Sequence, residues 1–112
     1  MILIALEDDK NSISKRFRKS EYFAFIDNEN ITIDKNIHKK SKSNEFFEYF
    51  KNLGVKKVYL KALGYKTFKK LEELGVEVYF VNDTDRYDKI EPKNLIRVDS
   101  NSAKELCTLG HK

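Results

Sequence analysis

"LGVKKVY", residues 53–59, is echoed as "LGVEVY" at residues 74–79, twenty-one positions later. In each copy a leucine closes an amphipathic run, a glycine follows, and valine and tyrosine come next. Before the first copy, Phe46, Phe47, Phe50 and Leu53 recur at helical spacing; before the second, Phe68, Leu71 and Leu74 do the same. Gly54 and Gly75 stand where a helix commonly stops, at the C′ position that tolerates left-handed backbone. Ser43 is expected to cap the first helix, with Glu45 in its first turn. Each echo therefore reads as helix, glycine stop and buried strand, the strands covering 55–60 and 76–81. Two such units in succession predict parallel strands joined by right-handed crossovers.

Outward from that pair, Ile2 to Leu6 is a continuous apolar run, the pattern of a central strand covered on both faces. It lacks a basic leader and a small-residue cleavage site, so it reads as a buried first strand and not a signal peptide. Tyr22 to Ile26 and Ile31 to Ile33 flank "DNEN", whose residues tolerate turn geometry, and predict an antiparallel hairpin. The expected fold class is α/β: a mixed five-stranded sheet with an N-terminal antiparallel hairpin, then two helix–strand units. Leu95 to Val98 reads either as a short strand or as a segment packed on the core. Ser102 and Glu105 have capping-box spacing and predict a short C-terminal helix through about Leu109, ended by Gly110. No linker divides the chain, so 1–112 reads as a single binding domain.

Hydrophobic residues make up 40% of the chain and charged residues 36%, a globular profile with a heavily charged surface. No stretch approaches the roughly 18–20 apolar residues of a membrane span, so no membrane partner is expected. Cys107 is the only cysteine, which excludes an internal disulfide and fits a reducing, cytoplasmic location. The net charge of +4 is a mild basic bias, compatible with anionic partners.

That bias is concentrated in "ISKRFRKSEYF", residues 13–23, where Lys15, Arg16, Arg18 and Lys19 surround Phe17. Phe17 reads as core, because neighbouring apolar residues could cover it. The cations read either as a solvated run flanking a buried strand or as an anion-binding loop. In open α/β sheets ligands tend to lie beyond the carboxyl ends of parallel strands. The "KALGYKT" loop after Leu60 should sit at that end, with Gly64 and Tyr65 opening a helix whose N–H groups suit an anion. Lys61 and Lys66 would add positive charge; the plainer reading is an ordinary strand-to-helix turn.

The order of elements and several residues resemble the dinitrogenase iron–molybdenum cofactor biosynthesis family over about residues 1–81. The resemblance rests on the acidic turn Asp8–Asp9, on Ser14 to Phe23 against the family's "S-x-H-F-G-R-A-x-Y-F", and on Asn36 and His38 against its "N-P-H" loop. Gly64, and Leu71 to Tyr79 at the end of the second helix and its strand, complete it. It implies a ribonuclease-H-like fold and a site for an iron–sulfur or iron–molybdenum-type metallocluster or its precursor. The residues expected to hold that guest are Ser14, Arg16, Arg18, His38, Gly64 and Tyr65, with His38 the candidate metal ligand because neutral imidazole is a versatile one. Arg16 stands at the family's histidine position and Arg18 at its glycine position, while "KKSKS" follows the loop. A guanidinium cannot ligate a metal as imidazole does, but it can grip an oxyanion bidentately.

The expected role is a non-enzymatic binding or carrier protein for an anionic cofactor. Two other classes stay open: a structural or homodimeric interaction module, and a weak nucleic-acid binder, the latter disfavoured because no recognition helix or stacking-strand motif is present. Glu7, Asp8 and Asp9 cluster at one turn, whereas two-metal nuclease chemistry needs carboxylates converging from separate strands. Cys107 and His111 lie four apart, but two ligands make an incomplete metal site.

Overall fold

In the computed structural model, which describes residues 1–107, the two echoed motifs form adjacent parallel strands. The strands are β1 (Ile2–Leu6), β2 (Tyr22–Asp27), β3 (Asn30–Lys35), β4 (Lys57–Leu60), β5 (Glu77–Phe80) and β6 (Ile96–Val98). The helices are α1 (Ser43–Lys51), α2 (Tyr65–Glu73) and α3 (Ala103–Leu106). One mixed sheet runs in the order β3-β2-β1-β4-β5-β6. β1, β4 and β5 are parallel, while β2, β3 and β6 join antiparallel. The sheet has six strands, not the expected five: Ile96–Val98 pairs with Val78–Phe80 and extends the edge. Of the two readings of residues 95–98 the short strand is the one observed; three residues carry too little periodicity to decide it, and the open edge of β5 does.

All three helices lie over one face of the sheet. Leu3, Ala5, Phe23, Val58, Leu60, Val78 and Phe80 meet Phe46, Phe47, Phe50, Phe68, Leu71 and Ala103 there. Among the described residues the other face carries no α-helix, only two single-turn 3-10 segments, at Tyr87–Lys89 and Pro92–Asn94. Ile4, Leu6, Ala24 and Val81 are covered there by Ile13 and by the segment bearing Tyr87, Ile90 and Leu95. β1 is thus buried on both sides, as its unbroken apolar run requires. Among the described residues no helix is long and apolar enough to cross a membrane.

The helix ends show what the local sequence decides. At the end of α2, Gly75 has φ +76°; its N–H donates to Glu72 O (3.0 Å) and that of Val76 to Leu71 O (3.0 Å). This is a Schellman closure, and it needs the left-handed backbone that glycine gives freely. Gly54 has the same φ. It stands one residue further out than C′, because Asn52 is the C-cap of α1. The start of α1 also differs from expectation. Lys42 holds the cap position and Ser43 is the first helical residue, while Glu45 reaches back to accept the Lys42 N–H (3.1 Å). Ser102 caps α3, but its hydroxyl pairs with Asp99 and not with the helix start. The last helix ends at Leu106, with Cys107 extended, so the spacing that would align Cys107 with position 111 is not helical at Cys107. Leu109, Gly110 and His111 lie outside the described residues.

Candidate functional site

Two loops meet beyond the carboxyl ends of the parallel strands. The first follows β1 and carries residues 13–20; the second, residues 61–64, follows β4 and opens α2. Between them lies a cleft of 290 Å³ with Lys15, Arg16, Arg18 and Lys19 on one side and Ala62, Gly64 and Thr67 on the other. Phe17 and Leu63 line its floor, each 5% exposed. No carboxylate is among the lining residues.

The alternation of burial through the first loop explains its shape. Ile13, Ser14, Phe17 and Ser20 are buried, and the cations between them point outward. Phe17 is the anchor: its ring stands edge-on to Phe46 (5.4 Å) and Phe50 (5.8 Å). It is core, not a stacking platform. Ser14 fastens the loop to β1 through its N–H to Ala5 O (2.8 Å), and its hydroxyl accepts the Arg16 N–H (3.0 Å). Ser14 therefore shapes the backbone that presents Arg16.

On the opposite wall, Gly64 is the cap residue of α2 at φ −74°, ψ 149°, backbone that any residue adopts. Its contribution is the absence of a side chain beside the helix end. No side chain caps α2 and no acid stands in its first turn. The first intrahelical bond runs from Phe68 N to Gly64 O (3.0 Å), and the N–H groups of the turn before it have no helical acceptor. The positive end of the helix dipole thus faces the four cations across the cleft. Tyr65 is placed differently: its ring stacks on Phe68 (6.4 Å) against the core and does not line the cleft.

Lys61 does not serve the cleft as expected. Its ammonium pairs with Asp85 (2.9 Å) and its side chain is only 14% exposed. Lys66 is exposed and outside the lining; the positive charge of the cleft comes instead from the first loop, and the second contributes Thr67. Asp85 is tied to both loops, because its carbonyl also accepts the Ile13 N–H (2.8 Å). The hydrogen bond and charge of Lys61, helped by Lys15, hold the Asp85 carboxyl below the usual carboxylate range. A depressed carboxyl stabilises the fold above its unfolded pKa and loses that contribution as pH falls through the folded value. NMR cross-peaks of Lys61 and Ile13 should therefore move together in acid, below the ordinary aspartate range, and Asp85→Asn should abolish that movement. Peaks that titrate unchanged in the variant would mean that the ion pair does not join the loops.

Asn36 fixes the outer wall. It is 3% exposed, and its side-chain amide donates to Arg18 O (2.8 Å) and Ser20 O (3.0 Å) while accepting the His38 N–H (3.0 Å). His38 lies beyond that wall. Its Nδ1 is 2.9 Å from the Ser41 hydroxyl and its ring lies on Tyr49 (4.3 Å). The Arg18 guanidinium reaches the same segment at Ser41 O (3.5 Å). Of the six residues singled out from the sequence, Arg16, Arg18 and Gly64 share the cleft; Ser14 lies beneath it, and Tyr65 and His38 lie beside it. Among the described residues no three of His, Cys, Asp and Glu come together as metal ligands. Burial raises the pKa of the Cys107 thiol.

These features define a small mixed α/β fold whose cationic cleft sits at the carboxyl end of its parallel strands. The family model for the dinitrogenase iron–molybdenum cofactor matches residues 1–91, and the chain belongs to that family. Among solved structures it is similar to PH0822, at 25% identity over 70% of this chain and 74% of that one, with a TM-score of 0.61. The apo form of the orange protein from Desulfovibrio gigas matches at 17% identity over 70% and 72%, TM-score 0.60. A NifB-like protein of the DUF35 family from Thermotoga matches at 24% identity over 72% and 75%, TM-score 0.57. The last two likenesses concern the fold alone. No curated protein matches.

Proposed function

We propose that the protein is a non-enzymatic carrier for an anionic cofactor, a metallocluster of iron–sulfur or iron–molybdenum type or its precursor. The observation that carries this reading is the uncapped start of α2 facing Lys15, Arg16, Arg18 and Lys19 across a cleft with no carboxylate in its lining. Membership of a family tied to the iron–molybdenum cofactor supports the class of guest. The donor set fits a cluster gripped from outside: guanidinium, ammonium and backbone N–H groups bond to anionic sulfur or oxygen atoms without entering the metals' coordination shell. The guest is cargo, held and delivered with no bond broken. The antiparallel β1–β3 start followed by helix-linked β4 and β5 supports the ribonuclease-H-like assignment.

The test is anaerobic purification from the native host, with metal analysis and an absorption spectrum. Arg16→Ala with Arg18→Ala removes two charge-assisted grips, each worth about 1.5–3 kcal/mol, so bound metal should fall at least about tenfold while the fold survives. Unchanged metal content in the double variant would reject the cleft as the site.

A further inference from the structure

The two edges of the sheet are unequal. β6 is three residues long, whereas β3 spans six and pairs only with β2. The outer edge of β3 therefore presents unpaired backbone groups, which natural sheets usually blunt with charged side chains, proline, a bulge or a covering element; here the charges, Asp34 and Lys35, stand together at one end. β3 contains no proline, and its pairing with β2 runs unbroken from Tyr22–Lys35 to Asp27–Asn30. Among the described residues no helix covers it: five of its six residues are exposed, Ile31 to 53%. On the helix side an open groove of 390 Å³ runs along Asn30, Thr32 and Asp34.

The sequence of this edge is complementary to itself. Asn30, Thr32 and Asp34 share the helix side with Phe25 and Phe23, while Ile31, Ile33 and Lys35 face the other way. A two-fold axis normal to the sheet keeps each face with its own kind, so two β3 strands pair antiparallel only in registers that preserve these faces. Placing Thr32 on the axis sets Ile31 against Ile33 of the second copy and Asn30 against its Asp34. It also brings Lys35 close to the second copy's Glu29, the turn residue just before β3. Each of these pairs occurs twice. A slip by two residues one way sets Ile31 against Lys35, and the other way sets Ile33 against Glu29. Each alternative keeps one isoleucine pair, on the axis, but opposes the other isoleucines to charges, so the Thr32 register with its two isoleucine pairs is favoured. Among the described residues neither Lys35 nor Glu29 is engaged in an ion pair.

We infer that β3 is a self-association edge, through which two copies of this chain join into one continuous antiparallel sheet with Thr32 on the two-fold axis and Lys35–Glu29 pairs at either end. Main-chain hydrogen bonds give such an interface its affinity, and the isoleucine and charge pairs set its register. The inference is independent of the carrier reading, because none of these residues lines the cationic cleft.

Sedimentation velocity on the full chain, over a range of concentrations and at low salt, should show a species of twice the 13.2 kDa chain mass. Lys35→Glu and Glu29→Lys each place like charges opposite one another at both ends and should weaken self-association at least about tenfold. An equal mixture of the two variants should restore a heterodimer, since both of its cross pairs are then of opposite sign. Thermal unfolding of each variant checks that the fold is intact. A chain that stays at 13.2 kDa throughout, single variants that dimerise as well as the parent, or a mixture no better than its components would each overturn the proposal.

Discussion

Phe50→Ala is expected to cost about 3–5 kcal/mol of stability, the range for removing a buried aromatic side chain. Phe50 is 1% exposed and meets Phe17, Phe46 and Phe47 with ring centroids 5.8 Å, 5.8 Å and 6.2 Å away. With Phe46 it is where α1 touches the anchor of the cationic loop, so the cavity left by alanine opens beneath both. Equilibrium denaturation should show the loss in full, and thermal melting should show a fall of more than about 10 °C for a chain of this size. A change under about 0.5 kcal/mol, the level of an ordinary surface substitution, would mean that Phe50 does not face the core.

Asn36→Ala should be the next most costly single change, at about 2–4 kcal/mol, because it strands the carbonyls of Arg18 and Ser20 and the N–H of His38 together. Cavity size is not the cause here, so Asn36→Leu should be no better tolerated than alanine. Asn36→Asp should also destabilise, since it brings a carboxylate against two carbonyl oxygens that need a donor. Chemical denaturation of the three variants settles the point: a stable leucine variant would show that the hydrogen bonds contribute little.

What could be read from the sequence was what local chemistry decides. The echoed glycines, the helical spacing of the phenylalanines and the unbroken run of β1 placed five strands and two helices near their observed positions. β6 was legible only as one of two readings of residues 95–98, because its pairing depends on the exposed edge of β5 and its own three residues say little. The meeting of Arg16 and Arg18 with Gly64 was legible through topology, since both loops leave the same ends of parallel strands. The fate of Lys61 was not: its partner Asp85 arrives from a loop whose course only the folded chain defines. His38 and Asn36 stood out together in the sequence, yet only burial separates their roles. Asn36 turns inward as a clamp, and His38 turns outward onto Tyr49. Thr67 could have been found by counting three residues past Gly64 into the helix.

The loop that bears the four cations is pinned at its main chain, by Ser14 to β1 at one end and by Asn36 at the other. Its charged side chains largely stand free; Lys15, Arg16 and Lys19 are exposed. On the proposed carrier reading, loading and unloading would need only rotamer changes, which in exposed side chains take picoseconds to nanoseconds, with no strand or helix displaced. A holder of that kind would keep one shape whether full or empty, and the salt concentration around its exposed cations would then govern how fast a charged guest comes and goes.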